Sequence, residues 1–281
     1  MKQLEKKPKN ALSKLIIFAC ALCLMTSFNS CSKIEDWFKE KEKDEFAIPG
    51  LGGSTGKLTG TPYKLPDGIE LAGEITGSGE FGYYWFDNYS ASSKTERFIA
   101  RKDGTIKTID ENLTGLEIRA GEEKVYYFGS GLGLVTLVIP LKNVRANPIS
   151  VTIPAATVFE SKTGSYQNGV LIKKVTFTIP ANSNYQLGLV LYCGNASRSA
   201  ANGSAVYVMG VVSDAKALLD LCDRVKNKKI NIEEFPATNY ESMSIFVNQA
   251  SELQNIVWNV TDYNGLTSDD IKYINALPNS N

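Results

Sequence analysis

Ile149-Ser150-Val151-Thr152-Ile153 and Val175-Thr176-Phe177-Thr178-Ile179 alternate apolar and hydroxyl side chains without a break. A period of two gives an extended strand one face for a core and one for water. Pro154 and Pro180 follow directly, and Pro140 follows the apolar stretch 134–139. Proline has no N–H to give a ladder, so all three are expected to end strands. Residues 125–128, 186–192 and 205–212 read as further strands. Residues 97–100 and 105–109 read as a hairpin turning at Asp103-Gly104.

The period changes after Val212. Ser213-Asp214 offers a helix cap, and Leu218, Leu221, Cys222 and Val225 follow at helical spacing. Thr238-Asn239-Tyr240-Glu241 has the form of a capping box for a helix carrying Phe246, Ala250, Leu253, Val257 and Val260 on one face. Thr267 to Asp270 opens a last short helix before Pro278. Strands first and helices last indicate an α+β body, an antiparallel β-sandwich (Ig-like or related) followed by a C-terminal helical cap. The expected organisation is a signal peptide over 1–30, a lipidated, charged and Gly-rich tether over 31–62, and an N-terminal β unit over 63–145. Strands with C-terminal helices then occupy 146–281, as one domain with the preceding unit or as a second.

Composition narrows the function. The 281 residues hold 30 Lys and Arg against 30 Asp and Glu, and no histidine. A zero balance gives no clustered basic field, so no nucleic-acid partner is expected. Lack of histidine removes Ser-His-Asp and Cys-His catalysis and the common zinc sites. Gly52-Gly53-Ser54-Thr55-Gly56-Lys57 superficially suggests a phosphate loop, but Leu51 stands where the first glycine belongs and Leu58 where a hydroxyl belongs. Ser213-Asp214-Ala215-Lys216 and Lys162-Thr163-Gly164 match serine acyltransferase motifs in reversed order. Asp262, Asp269 and Asp270 lack the alternating oxygen ligands of a calcium loop and read as helix caps. No enzyme activity, metal or cofactor is expected.

The N-terminus carries an address. Lys2, Lys6, Lys7, Lys9 and Lys14 precede the eleven apolar residues 15–25. Eleven helical residues cover about 16 Å, half the hydrocarbon core, which fits a secretory signal and not a span. Phe28-Asn29-Ser30-Cys31 then resembles a bacterial lipobox. The resemblance implies that Cys31 becomes the first mature residue and carries acyl chains, partnering the membrane through a lipid anchor. Residues 32–45 hold six acids and four lysines. They resemble the charged export segment of Bacteroidota-type surface lipoproteins. That implies a place on the outer membrane, surface-exposed in preference to facing the periplasm.

Two constellations point to interactions. In Phe81-Gly82-Tyr83-Tyr84-Trp85-Phe86-Asp87-Asn88-Tyr89, a strand would put Tyr83, Trp85 and Asp87 on one face and Tyr84 and Phe86 on the other, with Tyr83, Trp85 and Tyr89 as the candidate contacts. Exposed, these rings would stack on a glycan or grip a protein; buried, they fill a core. The second is Leu191-Tyr192-Cys193-Gly194-Asn195 with Gln254-Asn255-Ile256-Val257-Trp258. It resembles the two halves of the thioester domains of bacterial surface adhesins. The resemblance implies attack of the Cys193 thiolate on the Gln254 carboxamide, loss of ammonia, and acylation of an amine on a target surface. Read from the residues alone, Cys193 ends a strand as a thiol or pairs with Cys222. A non-enzymatic binding or adhesion module on the cell envelope is therefore expected, with a covalent adhesin as the alternative.

Overall fold

The computed structural model describes residues 47–78, 98–100, 106–108, 116–120, 123–235, 240–263 and 265–280. Residues Phe46–Asn281 form one compact unit. Cys31, the signal and the aromatic run with Tyr83, Trp85 and Tyr89 lie outside the described residues.

Six strands close on themselves. β3 (Ile75–Gly77), β8 (Val135–Asn143), β10 (Thr157–Ser161), β11 (Gly169–Leu171), β13 (Asn184–Cys193) and β14 (Val206–Ser213) run in the order β8-β3-β14-β10-β11-β13. The β8–β13 pairing shuts the ring, with Asn184 opposite Lys142 and Leu191 opposite Val135. All six pairings are antiparallel, which an even-numbered ring permits. The body is thus a β-rich α+β fold built on a barrel, which corrects the expected sandwich. Alternation fixes which face of a strand is buried, and it is the same for a sandwich and for a closed sheet.

The remaining strands decorate the ring. β1 (Gly60–Pro62) pairs with β14, and β2 (Ile69–Leu71) with β8. β7 (Glu123–Gly129) runs parallel to β13 and carries β6 (Leu116–Ala120). β4 (Phe98–Ala100) and β5 (Ile106–Thr108) pair as the expected hairpin. β9 (Ile149–Ile153) and β12 (Val175–Ile179) form a separate antiparallel pair. Its inward Val151, Ile153, Val175, Phe177 and Ile179 join the barrel's interior cluster, while Ser150, Thr152, Thr176 and Thr178 are exposed. Thr152 and Thr176 meet hydroxyl to hydroxyl at 3.0 Å.

Pro154 and Pro180 end their strands, but Pro140 lies inside β8. Its carbonyl accepts from Ala72 N–H at 2.8 Å, so its missing donor points to the same side. On that side β8's neighbour changes from β3 at Leu137 and Val138 to β2 at Leu141. The absent N–H falls at the gap, where no ladder bond is lost. At the far end of β8 the buried Asn143 knits the turn. Its Nδ2 lies 3.0 to 3.1 Å from the carbonyls of Asn147, Ile179 and Pro180, and its Oδ1 accepts from Arg145 N–H at 2.9 Å.

Three helices cover one side: α1 (Lys216–Val225), α2 (Tyr240–Thr261) and α3 (Ser268–Ala276). Leu187, Leu189, Leu191 and Cys193 of β13 face the barrel interior, while Val190 and Tyr192 face the helical layer. A strand covered on both faces explains the unbroken apolar run over 187–193. Leu218, Leu221, Cys222 and Val225 of α1 and Leu253, Val257 and Val260 of α2 are buried in the outer layer as expected. The cap of α1 differs, since Ala215 precedes it and Ser213 Oγ accepts from Ala215 N–H at 3.2 Å. Thr267 and Asp270 cap α3 reciprocally, at 3.1 and 2.8 Å.

The Gly-rich segment read as the end of a tether belongs to the body. Ile48 and Leu51 are buried among Val170, Tyr192, Leu253 and Val257, with Leu51 at 0% exposure, and β1 is a ladder strand. The compact body therefore already includes Ile48 and Leu51, and does not begin at residue 63.

Candidate functional site

Cys193 is the last residue of β13, and α2 crosses that strand end. Gln254, Trp258 and Asp262 stand four residues apart, so they share one side of the helix and its exit. Gln254 is buried, and its amide engages the main chain of Cys193. Oε1 accepts from Cys193 N–H at 2.9 Å, and Nε2 donates to the Cys193 carbonyl at 3.0 Å. β8 pairs no further than Leu191, so the side-chain amide takes the place of a missing strand neighbour.

The structure thus brings the two halves of the adhesin-like constellation together, 61 residues apart in the chain. The contact runs through the Cys193 backbone. The Cys193 side chain belongs to the barrel's interior cluster, with Leu189, Leu191 and Tyr207. Burial pushes its thiol well above the ordinary cysteine range, and the charge of Asp262 adds to the shift. A protonated, enclosed thiol is a small apolar side chain and a poor nucleophile. Cys222 lies in the outer layer, across the sheet wall from Cys193, and burial pushes its thiol up to about 12. Both are free thiols.

Asp262 completes the helix stripe. Its Oδ1 accepts from Ala196 N–H at 3.0 Å and its Oδ2 from Thr261 Oγ1 at 2.6 Å. Burial raises its pKa, opposed by these bonds and by the charge of Arg198. Trp258 packs against the interior cluster, its indole N–H buried without a partner.

The loop after Cys193 holds a second layer that the sequence reading did not find. Asn168 and Asn195 are buried and bonded to each other, Asn195 Oδ1 accepting from Asn168 N–H at 3.0 Å. Asn195 Nδ2 donates to the Gly52 carbonyl at 2.9 Å, and Asn168 Nδ2 donates to the Gly50 carbonyl at 2.9 Å. Gly52 N–H donates to the Gly194 carbonyl at 2.7 Å. Gly50 and Gly52 have φ of +79° and +57°, and a Cβ on Gly52 would lie 2.1 Å from the Thr261 carbonyl oxygen. Only glycine fits between the strand end and the last turn of α2. The one signal in the sequence was the pairing of a Gly-rich stretch with polar Gly194-Asn195 after an apolar strand.

No family model, curated protein or solved structure matches the chain.

A third polar cluster ties the C-terminus to the barrel. The buried Lys173 amine lies 2.7 Å from both Glu234 oxygens, from the Lys228 carbonyl and from Ser280 Oγ. Burial pushes the Glu234 carboxyl up, but its bonds to Lys173 and Ser280 and the lysine's charge bring it below the ordinary range. Its neighbour Glu233 accepts from Gly129 N–H at 2.9 Å and from Asn231 Nδ2 at 3.0 Å. Burial pushes its carboxyl up to about 7.

Among the described residues no group of His, Cys, Asp or Glu side chains could hold a metal ion, and no helix is long and apolar enough to cross a membrane. The buried polar groups at the Cys193 end serve backbone partners. Chemically, the arrangement holds chain segments together.

Proposed function

We propose that this chain is a lipid-anchored protein of the outer cell surface that works by non-covalent binding, as an adhesion or binding module for a glycan or protein partner. The observation that carries the reading is the order of the N-terminus: basic residues, eleven apolar residues, then Ser30-Cys31 and the charged residues 32–45. A body that begins within about twenty residues of Cys31 suits a domain held close to a membrane. Tyr83, Trp85 and Tyr89 are the residues proposed to contact the partner.

Metabolic labelling with a palmitate analogue tests the anchor. The native chain should carry label and fractionate with outer membranes, and Cys31→Ala should do neither. Label retained by Cys31→Ala would refute the anchor. For binding, Trp85→Ala should weaken capture of the glycan or protein ligand found by array screening, without lowering thermal stability.

The meeting of Cys193 and Gln254 favours a second reading, the covalent adhesin. There the Cys193 sulfur would bond to the Gln254 side-chain carbonyl carbon, the carbon–nitrogen bond would break, and ammonia would leave. The carboxamide's two bonds to the Cys193 main chain and the inward, protonated thiol support the non-covalent reading instead.

A further inference from the structure

Residues 48–53 are held far more firmly than a spacer needs. Leu51 is fully buried, and the carbonyls of Gly50 and Gly52 are bonded to asparagines 118 and 143 residues away. Those asparagines stand just before β11 and just after β13, and they are bonded to each other. Gly52 also abuts the last turn of α2. One short segment therefore touches the ends of two barrel strands and of α2. Both asparagines are buried, so water cannot readily replace their bonds as these stretch.

We propose that residues 48–53 are a mechanical clasp, which transfers a pull arriving along the N-terminal chain onto the Cys193 end of the barrel. The proposal rests on the reading that the chain is anchored at Cys31. A surface protein gripping a partner is loaded between its anchor and its binding face. The residues by which the body is joined to the anchor side are then where peeling would begin. A Gly-rich lead left in solvent would pass the load to β1, a three-residue edge strand. The buried Asn168–Asn195 pair instead spreads it over β11, β13 and α2 at once.

The test uses the mature chain from residue 31, made without its signal so that Cys31 stays an unlipidated thiol. Cys31 and an Ala146→Cys handle on the exposed turn after β8 are held at constant force; Cys193 and Cys222 are buried and stay unlabelled. In the otherwise native chain the clasp and barrel should give way in one step. With Asn195→Ala, or the milder Asn195→Ser, the segment before β1 should peel off first, its lifetime at least tenfold shorter. Asn143→Ala, which removes the polar hub at the opposite end of β13, should lower thermal stability and leave the clasp lifetime unchanged. Peeling ahead of the barrel in the native chain, or equal shortening by Asn143→Ala and Asn195→Ala, would overturn the proposal. Because no lipid is used, failure here removes the clasp and leaves the anchor to the palmitate experiment.

Discussion

The carboxamide of Gln254 lies against the main chain of Cys193, accepting its N–H at 2.9 Å and donating to its carbonyl at 3.0 Å. One helix side chain thus completes the edge of a barrel strand. Gln254→Ala leaves a buried donor and a buried acceptor unpaired, and should lower stability by about 2–4 kcal/mol in chemical denaturation. Gln254→Glu keeps the shape but faces the Cys193 carbonyl with an acceptor. It should be at least as destabilising at neutral pH and partly recover in acid.

Thiol chemistry gives an independent check. In the folded protein neither Cys193 nor Cys222 should react with an alkylating reagent, since both are buried with raised pKa. In denaturant without reductant both should react. Labelling of Cys222 alone would point to a modified Cys193, and labelling of neither would point to a disulfide.

The paired strands β9 and β12 were legible because their alternation is local, and both end at the residues before Pro154 and Pro180. Barrel closure was not, because it depends on Val135 meeting Leu191 and Asn184 meeting Lys142, pairings between segments with no mutual pattern. Pro140 misled because a proline tolerated at a gap between neighbours looks the same in sequence as one that ends a strand. Residues 48–53 read as solvated because glycine usually means slack. Here Gly50 and Gly52 are glycine to fit left-handed backbone and close approach, and their partners Asn168 and Asn195 lie more than a hundred residues on. The Cys193–Gln254 meeting was legible only as a resemblance, which gave the pair but not the atoms that touch.

Glu233 should make stability fall as pH rises. Its folded pKa is raised from 4.5 to about 7, so the folded state holds the proton more tightly. Its contribution is fully present below pH 4.5, declines as the unfolded carboxyl ionises, and is lost once pH passes about 7. The span corresponds to about 3 kcal/mol. Glu234, lowered by Lys173, stays ionised through that window and does not mask the effect. Urea titrations from pH 4.5 to 8 should show the decline in the native protein and a flatter profile in Glu233→Gln. A native profile that rises over this range would show that Glu233 is ionised in the fold.

Limited proteolysis should cut before residue 47 and spare the rest of the lead into β1, because Ile48 and Leu51 are buried. A chain trimmed to begin at residue 63 loses both side chains and the partners of Asn168 and Asn195. It should melt well below the chain beginning at residue 46, as read by the circular-dichroism transition. Equal melting temperatures would return residues 48–62 to the tether.

The intact mass of the folded, signal-free chain tests most directly whether the Cys193–Gln254 contact is a hydrogen-bonded clamp. With Gln254 held to the Cys193 backbone and the thiol free in the barrel interior, the mass should equal that calculated from the sequence, in native and Gln254→Ala chains alike. A native mass lower by one ammonia, restored to the calculated value by Gln254→Ala, would contradict the clamp and make the protein a covalent adhesin.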